Sequence, residues 1–233
     1  MRGVSRAIAG FGVAAPFLLA GCGSVGQLGA GTHHPPATTF TITTRVTTLV
    51  VKGGAGSITV TGSGRATIAV TQQSSYTKTP PAMTHAISGT TLTLSYTCPG
   101  EFVCGVSYDI QVPRGVAVQA SSASGAITLT SLTAPVSAQT TAGLISATGL
   151  GSATASLKSA AGGINATFTA VPASVHASTR VGPISISVPG SASYQVNTHT
   201  YVGSSTVTVR KSPASPHAIT ASSYLGSITI SPY

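Results

Sequence analysis

The stretch Val118-Gln119-Ala120-Ser121-Ser122-Ala123-Ser124-Gly125-Ala126-Ile127-Thr128-Leu129 decides how this chain folds. Apolar residues alternate at Val118 and Ala120, small residues lead to Gly125, and alternation resumes at Ile127 and Leu129. Period-two alternation turns one face of a strand inward, and a glycine between two such runs marks a corner where φ can turn positive. The segment reads as strand, corner, strand.

The same template, apolar at i and i+2, Gly at i+7, apolar at i+9 and i+11, recurs along the chain. It fits Leu49, Val51, Gly56, Ile58 and Val60, and again Val136, Ala138, Gly143, Ile145 and Ala147. Ala155, Leu157, Gly162, Ile164 and Ala166 form another copy, followed by Val175, Ala177, Gly182, Ile184 and Ile186. Ile219, Ala221, Gly226, Ile228 and Ile230 close the series. A seventh unit reads Tyr194, Val196, Gly203, Val207 and Val209, with extra residues at its corner. From Val118 the units start 18, 19 and 20 residues apart, a period at which one rung cannot bury its apolar face and must stack on neighbours. The expectation is an all-β, β-solenoid-like stack of short strands. A β-sandwich also shows short alternating strands, and the drifting unit length leaves that alternative open.

Composition agrees with a strand-rich chain. Charged residues make up 6% of the 233 and aromatics 5%, with no Trp. Small, β-branched and glycine residues dominate instead, and these suit strands and turns. The formal charge is +9 with only two acidic side chains, Glu101 and Asp109. Such a field attracts anionic partners, acidic wall or surface polymers among them, and a thinly spread solvated charge is the plainer reading. No nucleic acid is expected, because no basic cluster exceeds Arg210-Lys211 and no aromatics are interleaved with basic residues.

Arg2 and Arg6 precede an apolar run from Ala7 to Ala20 that stops at Leu19-Ala20-Gly21-Cys22. This is the order of a secretory leader, and the run falls short of the roughly 20 apolar residues a membrane span needs. Leu-Ala-Gly-Cys resembles the lipobox of bacterial lipoproteins, which implies that Cys22 receives diacylglycerol and becomes the first residue. The other reading is an ordinary leader cut near Ala20. The resulting organisation is a signal peptide at 1–21, a Gly-rich flexible tether at 22–38 and a β-repeat domain at 39–233. The expected location is the extracytoplasmic face of the bacterial membrane, held by the lipid anchor.

Between Thr61 and Gly115 the template lapses, although Ile68 and Val70, Leu92 and Leu94, and Ile110 and Val112 still alternate. Cys98 and Cys104 flank a five-residue loop there. In an oxidising compartment they are expected to form a disulfide closing a tight hairpin. A reactive thiol pair would usually show Cys-x-x-Cys spacing.

An early Gly-x-Ile-x-Val unit, a Cys-containing loop, Tyr108-Asp-Ile-x-Val-Pro113-x-Gly115 and repeated Gly-x-Ile units follow in that order. This order resembles the putative-adhesin family of bacterial envelope β-strand-repeat proteins over roughly Thr39 to Tyr233. The resemblance implies a β-solenoid-like domain of undetermined function with no established catalytic residues.

No catalytic residue, metal ligand set or cofactor is expected. A glycan-cleaving solenoid needs paired acids, and only Glu101 and Asp109 are available, one in the cysteine loop and one on a strand. No G-x-S-x-G elbow occurs, and the histidines are scattered. Lys52 and Lys158 share a position four residues before the corner glycine, and Arg180 lies two before its own. Stacked rungs would gather these three into a basic stripe able to bind an anionic polymer. The leading function is thus a lipid-anchored, non-enzymatic surface or adhesion module. The alternatives are a polysaccharide-acting enzyme using Glu101 and Asp109, and a structural component of an envelope protein complex.

Overall fold

The computed structural model of the chain describes residues 31–100 and 103–233. The expected leader, Cys22, most of the tether and Glu101 lie outside the described residues. The N-terminal part of the described chain contains β1 (Thr38–Ile42), β2 (Thr48–Lys52), β3 (Ile58–Ser63), β4 (Ile68–Tyr76), β5 (Ala82–Ser88), β6 (Thr91–Thr97) and β7 (Cys104–Pro113). Next come β8 (Ala117–Ser124), β9 (Ile127–Thr130), β10 (Val136–Ala142), β11 (Ile145–Leu150), β12 (Thr154–Ala161) and β13 (Ile164–Phe168). The chain closes with β14 (Ser174–Val181), β15 (Ile184–Val188), β16 (Gln195–Val202), β17 (Ser205–Val207), β18 (Ala218–Leu225) and β19 (Ile228–Pro232).

Each rung sends one strand to each of two sheets, so successive strands cross between sheets rather than pairing with one another. One sheet runs β1-β4-β7-β3-β9-β11-β13-β15-β19-β17 and the other β16-β18-β14-β12-β10-β8-β2-β6-β5. Rung strands pair in parallel with the template in register: Val118, Val136 and Ala155 are neighbours in one sheet, and Ile127, Ile145 and Ile164 in the other. Parallel pairing between equivalent positions is the mark of a stacked solenoid and removes the sandwich alternative. The aliphatic residues of the six regular copies are all buried between the sheets, while the residues between them face outward. Each fully buried Val, Leu or Ile side chain contributes roughly 1.5–3 kcal/mol, which a lone rung could not collect.

The corners explain why the glycine offset is so constant. Gly143 has φ of 150°, and a Cβ there would run into the carbonyl of Gly125 on the next rung. The same relation links Gly162 to Gly143, Gly182 to Gly162, and Gly226 to Gly182, so the corners form one close-packed backbone column. A second column lies three residues earlier, at i+4. Thr140 Oγ1 donates to Gly125 O, Ser159 Oγ to Gly143 O, and Thr179 Oγ1 to Gly162 O at 2.9 Å. These buried hydroxyls satisfy carbonyls that the tight corner would otherwise leave short of donors.

Spatial order departs from chain order at both ends: β2 and β3 insert between the β6/β7 and β8/β9 rungs, and β18 and β19 insert between β14/β15 and β16/β17. Two sequence expectations need correcting. The seventh unit has no extra corner residues. Val196, not Tyr194, aligns with Ile219, so the template reads Val196, Thr198, Gly203, Ser205, Val207, and Thr200 donates to Gly226 O as the i+4 hydroxyl. Apolar Tyr194 and Val209 had drawn the frame two residues outward; Tyr194 instead bridges to Lys211 beside the rung.

The second concerns the cysteines. Cys98 and Cys104 are bonded, but they close no hairpin, because β6 and β7 belong to different sheets. The disulfide loop is the corner of an irregular rung whose inward residues are Leu92, Leu94, Tyr108 and Ile110. Tyr96 occupies its i+4 position, where its hydroxyl donates to Ala55 O and accepts from Ala55 N. Beyond this rung the stack is finished by antiparallel strands, β4 with β1 on one sheet and β5 on the other. His33, within the segment read as tether, pairs with Tyr76 through backbone hydrogen bonds in both directions.

Candidate functional site

Side chains that alternate away from the core stand on the outer faces of the two sheets, so a site there is built from columns of outward residues. On the nine-stranded sheet the outward positions before the corner are i+3 and i+5. Neighbouring strands follow one another about 4.8 Å apart, which turns each position into a row running along the stack. At i+3 the row is Lys52, Ser121, Gln139, Lys158, Ser178, then Ser222 and His199. At i+5, Thr141 and Ala160 are followed by Arg180, Tyr224 and Tyr201.

A depression of about 770 Å³ runs over this region, from Gln139 and Thr141 at one end to His199 and Tyr201 at the other. Lys158 and Arg180 both line it; Lys52 does not. Lys52 belongs to the same row as Lys158 but sits three strands away, roughly 14 Å along the sheet. The structure therefore brings two of the three predicted basic residues together and leaves the third apart. A smaller hollow of about 340 Å³ lies nearer the start of these strands, over Gln119, Ser137, Ser156 and His176.

At the far end of the large depression Tyr201 and Tyr224 stack face to face, with ring centroids 4.8 Å apart and planes 3° from parallel. They stay 69% and 52% exposed, which is unusual for aromatic rings in a chain with so few. One residue nearer the corner, Val181, Leu225 and Val202 align across three strands and are also exposed. The tyrosines carry a signal in the sequence: Tyr201 precedes Gly203, and Tyr224 precedes Gly226, by the same two residues that separate Arg180 from Gly182. Nothing local marks the two rungs as neighbours, so the pair is visible only in the structure.

The acid among the described residues lies elsewhere. Asp109 is exposed on β7, between Thr59 and Thr71 of the ten-stranded sheet, on the face opposite the depression. Among the described residues no group of three or more His, Cys, Asp or Glu side chains comes together. The titratable group most altered by the fold is structural: burial, with a smaller contribution from Tyr96, pushes the Tyr108 hydroxyl up to about 12. That hydroxyl is enclosed in the core with no hydrogen-bond partner.

Among solved structures, a putative cell adhesion protein from Clostridium sporogenes is similar over 85% of this chain and all of its own, with a TM-score of 0.52 and 11% identity. Putative adhesins from Bacteroides fragilis and Parabacteroides distasonis also match 85% of this chain and 97% of their own, with TM-scores of 0.45 and 0.44 and identities of 17% and 11%. The first likeness speaks for the stacked fold. No curated protein matches the chain. A family model described as Toastrack DUF4097 matches residues 105–229, which hold β8 to β18 and the Gly-x-Ile units that carried the resemblance read from sequence. With more than half of its length matched over the rungs themselves, the chain belongs to the Toastrack DUF4097 family.

Proposed function

We propose that this chain is a lipid-anchored, non-enzymatic module of the bacterial envelope that engages anionic wall or surface polymers through the outer face of its nine-stranded sheet. The observation that carries the reading is charge separation: Lys158 and Arg180 line one depression, and Asp109 faces away on the other sheet. A cleft with two cations and, among the described residues, no acid suits binding an anion. The cell adhesion named for the Clostridium sporogenes protein is in keeping with a surface role.

Retention of the purified domain on an immobilised polyanion tests the reading. Binding should weaken steeply between low and physiological salt and drop further in Lys158→Gln/Arg180→Gln. Equal retention on a neutral polymer, insensitive to salt, overturns it. The anchor is tested separately: labelled fatty acid should be incorporated in cells carrying the full chain and lost in Cys22→Ser.

A further inference from the structure

We infer that the depression is a sugar-ring site: its ligand is an acidic polysaccharide whose rings lie against the Tyr201/Tyr224 wall while their carboxylates meet Arg180 and Lys158. The inference rests on the preceding reading that this face binds anionic polymer, and it adds what the polymer is made of. A pyranose ring has an apolar face of C–H groups and a rim of hydroxyls, so it needs an aromatic or aliphatic surface beside dense neutral hydrogen-bonding groups. Both are present. The stacked tyrosines line one end of the depression, and along it run the side chains of Gln139, Ser178 and Ser222. Arg180 directly precedes Tyr224 in its row, which sets a carboxylate partner one strand from the aromatic wall.

Two other polyanions fit less well. The tyrosine rings already contact each other at 4.8 Å, so no nucleobase can enter between them. A polyanion without rings would make no use of the aromatic wall. Position agrees as well. Tyr201 lies on the edge strand β16, at the opposite end of the stack from β1, where the chain enters from the expected anchor. An adhesive site is best placed at such a distal end.

The test compares binding of the domain to polygalacturonate, to polyglutamate of matched charge and to an oligothymidylate. The expected result is tightest binding to polygalacturonate. Tyr201→Ala and Tyr224→Ala should each weaken it about tenfold and leave polyglutamate binding unchanged, with recovery in the Phe variants. Because both rings are exposed, melting temperatures of the variants should match the parent. Binding to polygalacturonate that ignores the tyrosines overturns the sugar-ring site and leaves the charge reading standing. Tyrosine-dependent preference for oligothymidylate overturns it in favour of a base-stacking surface. No binding to any of the three polyanions overturns both readings.

Discussion

The middle of the stack and its two ends are built from the same rung by different means. From β8 to β15, chain order equals spatial order, a glycine stands between the two strands of every rung, and the template's four inward positions are aliphatic. At one end the corner is a disulfide loop, the inward residue is the large Tyr108, and antiparallel strands cover the edge. At the other, Thr198 and Ser205 point inward and hydrogen-bond to each other at 2.8 Å, so the last rung closes the core with hydroxyls instead of another layer. A repeat that can always accept one more copy needs such ends, since unpaired strand edges otherwise invite further association. The difference teaches that the middle is specified by repetition and the ends by its deliberate failure.

The largest effect should come from removing residues 216–233. This deletes β18 and β19, the only strands to which β16 and β17 pair, so the preceding rung loses its support as well. Limited proteolysis should then cleave freely between 190 and 215, and cooperative unfolding should shift to much lower temperature. Survival of a protease-resistant 190–215 segment would show that the two ends are not built as described.

Gly143→Ala probes the middle. Positive φ costs about 1–3 kcal/mol, and the enforced shift of the neighbouring backbone adds about as much. Gly115→Ala, where nothing lies near and φ is not positive, should be close to neutral in the same urea titration.

The disulfide end is sharpened by pH. Tyr108 holds its proton in the folded state up to about 12, against 10 when unfolded. The unfolded chain therefore releases this proton first, and stability falls as pH rises through 10 towards 12, by roughly 2–3 kcal/mol in total. Tyr108→Phe should flatten that part of the stability profile. It should also leave neutral-pH stability unchanged or slightly raised, because it removes an unpartnered buried hydroxyl. Opening the disulfide in Cys98→Ser/Cys104→Ser should cost about 2 kcal/mol, the loop-closure entropy of so short a ring. The smallest change is Thr140→Val. Loss of its hydrogen bond to Gly125 O should cost about 1 kcal/mol by chemical denaturation, and no more than that if the corner carbonyls find water.

The legibility of the chain divides along the same boundary. Ile127, Ile145, Ile164, Ile184 and Ile228 were readable as one inward row, because inward facing depends only on local alternation and the glycine offset. Lys158 and Arg180 were readable as residues ahead of a corner glycine for the same reason, and the stacking order made them neighbours. The i+4 hydroxyls carried a visible pattern, Ser122, Thr140, Ser159, Thr179 and Ser223, but their role depends on a carbonyl one rung away. Tyr194 and Val209 misled the reading because, at an end rung, apolar residues pack beside the stack as well as within it.

What the amino-acid order determined by itself was the rung: two short strands, one apolar face each, and a glycine that lets backbones touch at the corner. Those are interactions among residues close in sequence, and their pattern survives in any stacking order. Only the tertiary structure decided which rung lies next to which, that the cysteines span two sheets, and that Arg180, Tyr224 and Tyr201 share one row. The rungs offer nearly equivalent faces, so local pattern leaves their order open. Connecting loops and the polar inner face of the final rung select it through contacts that exist only once the stack has formed.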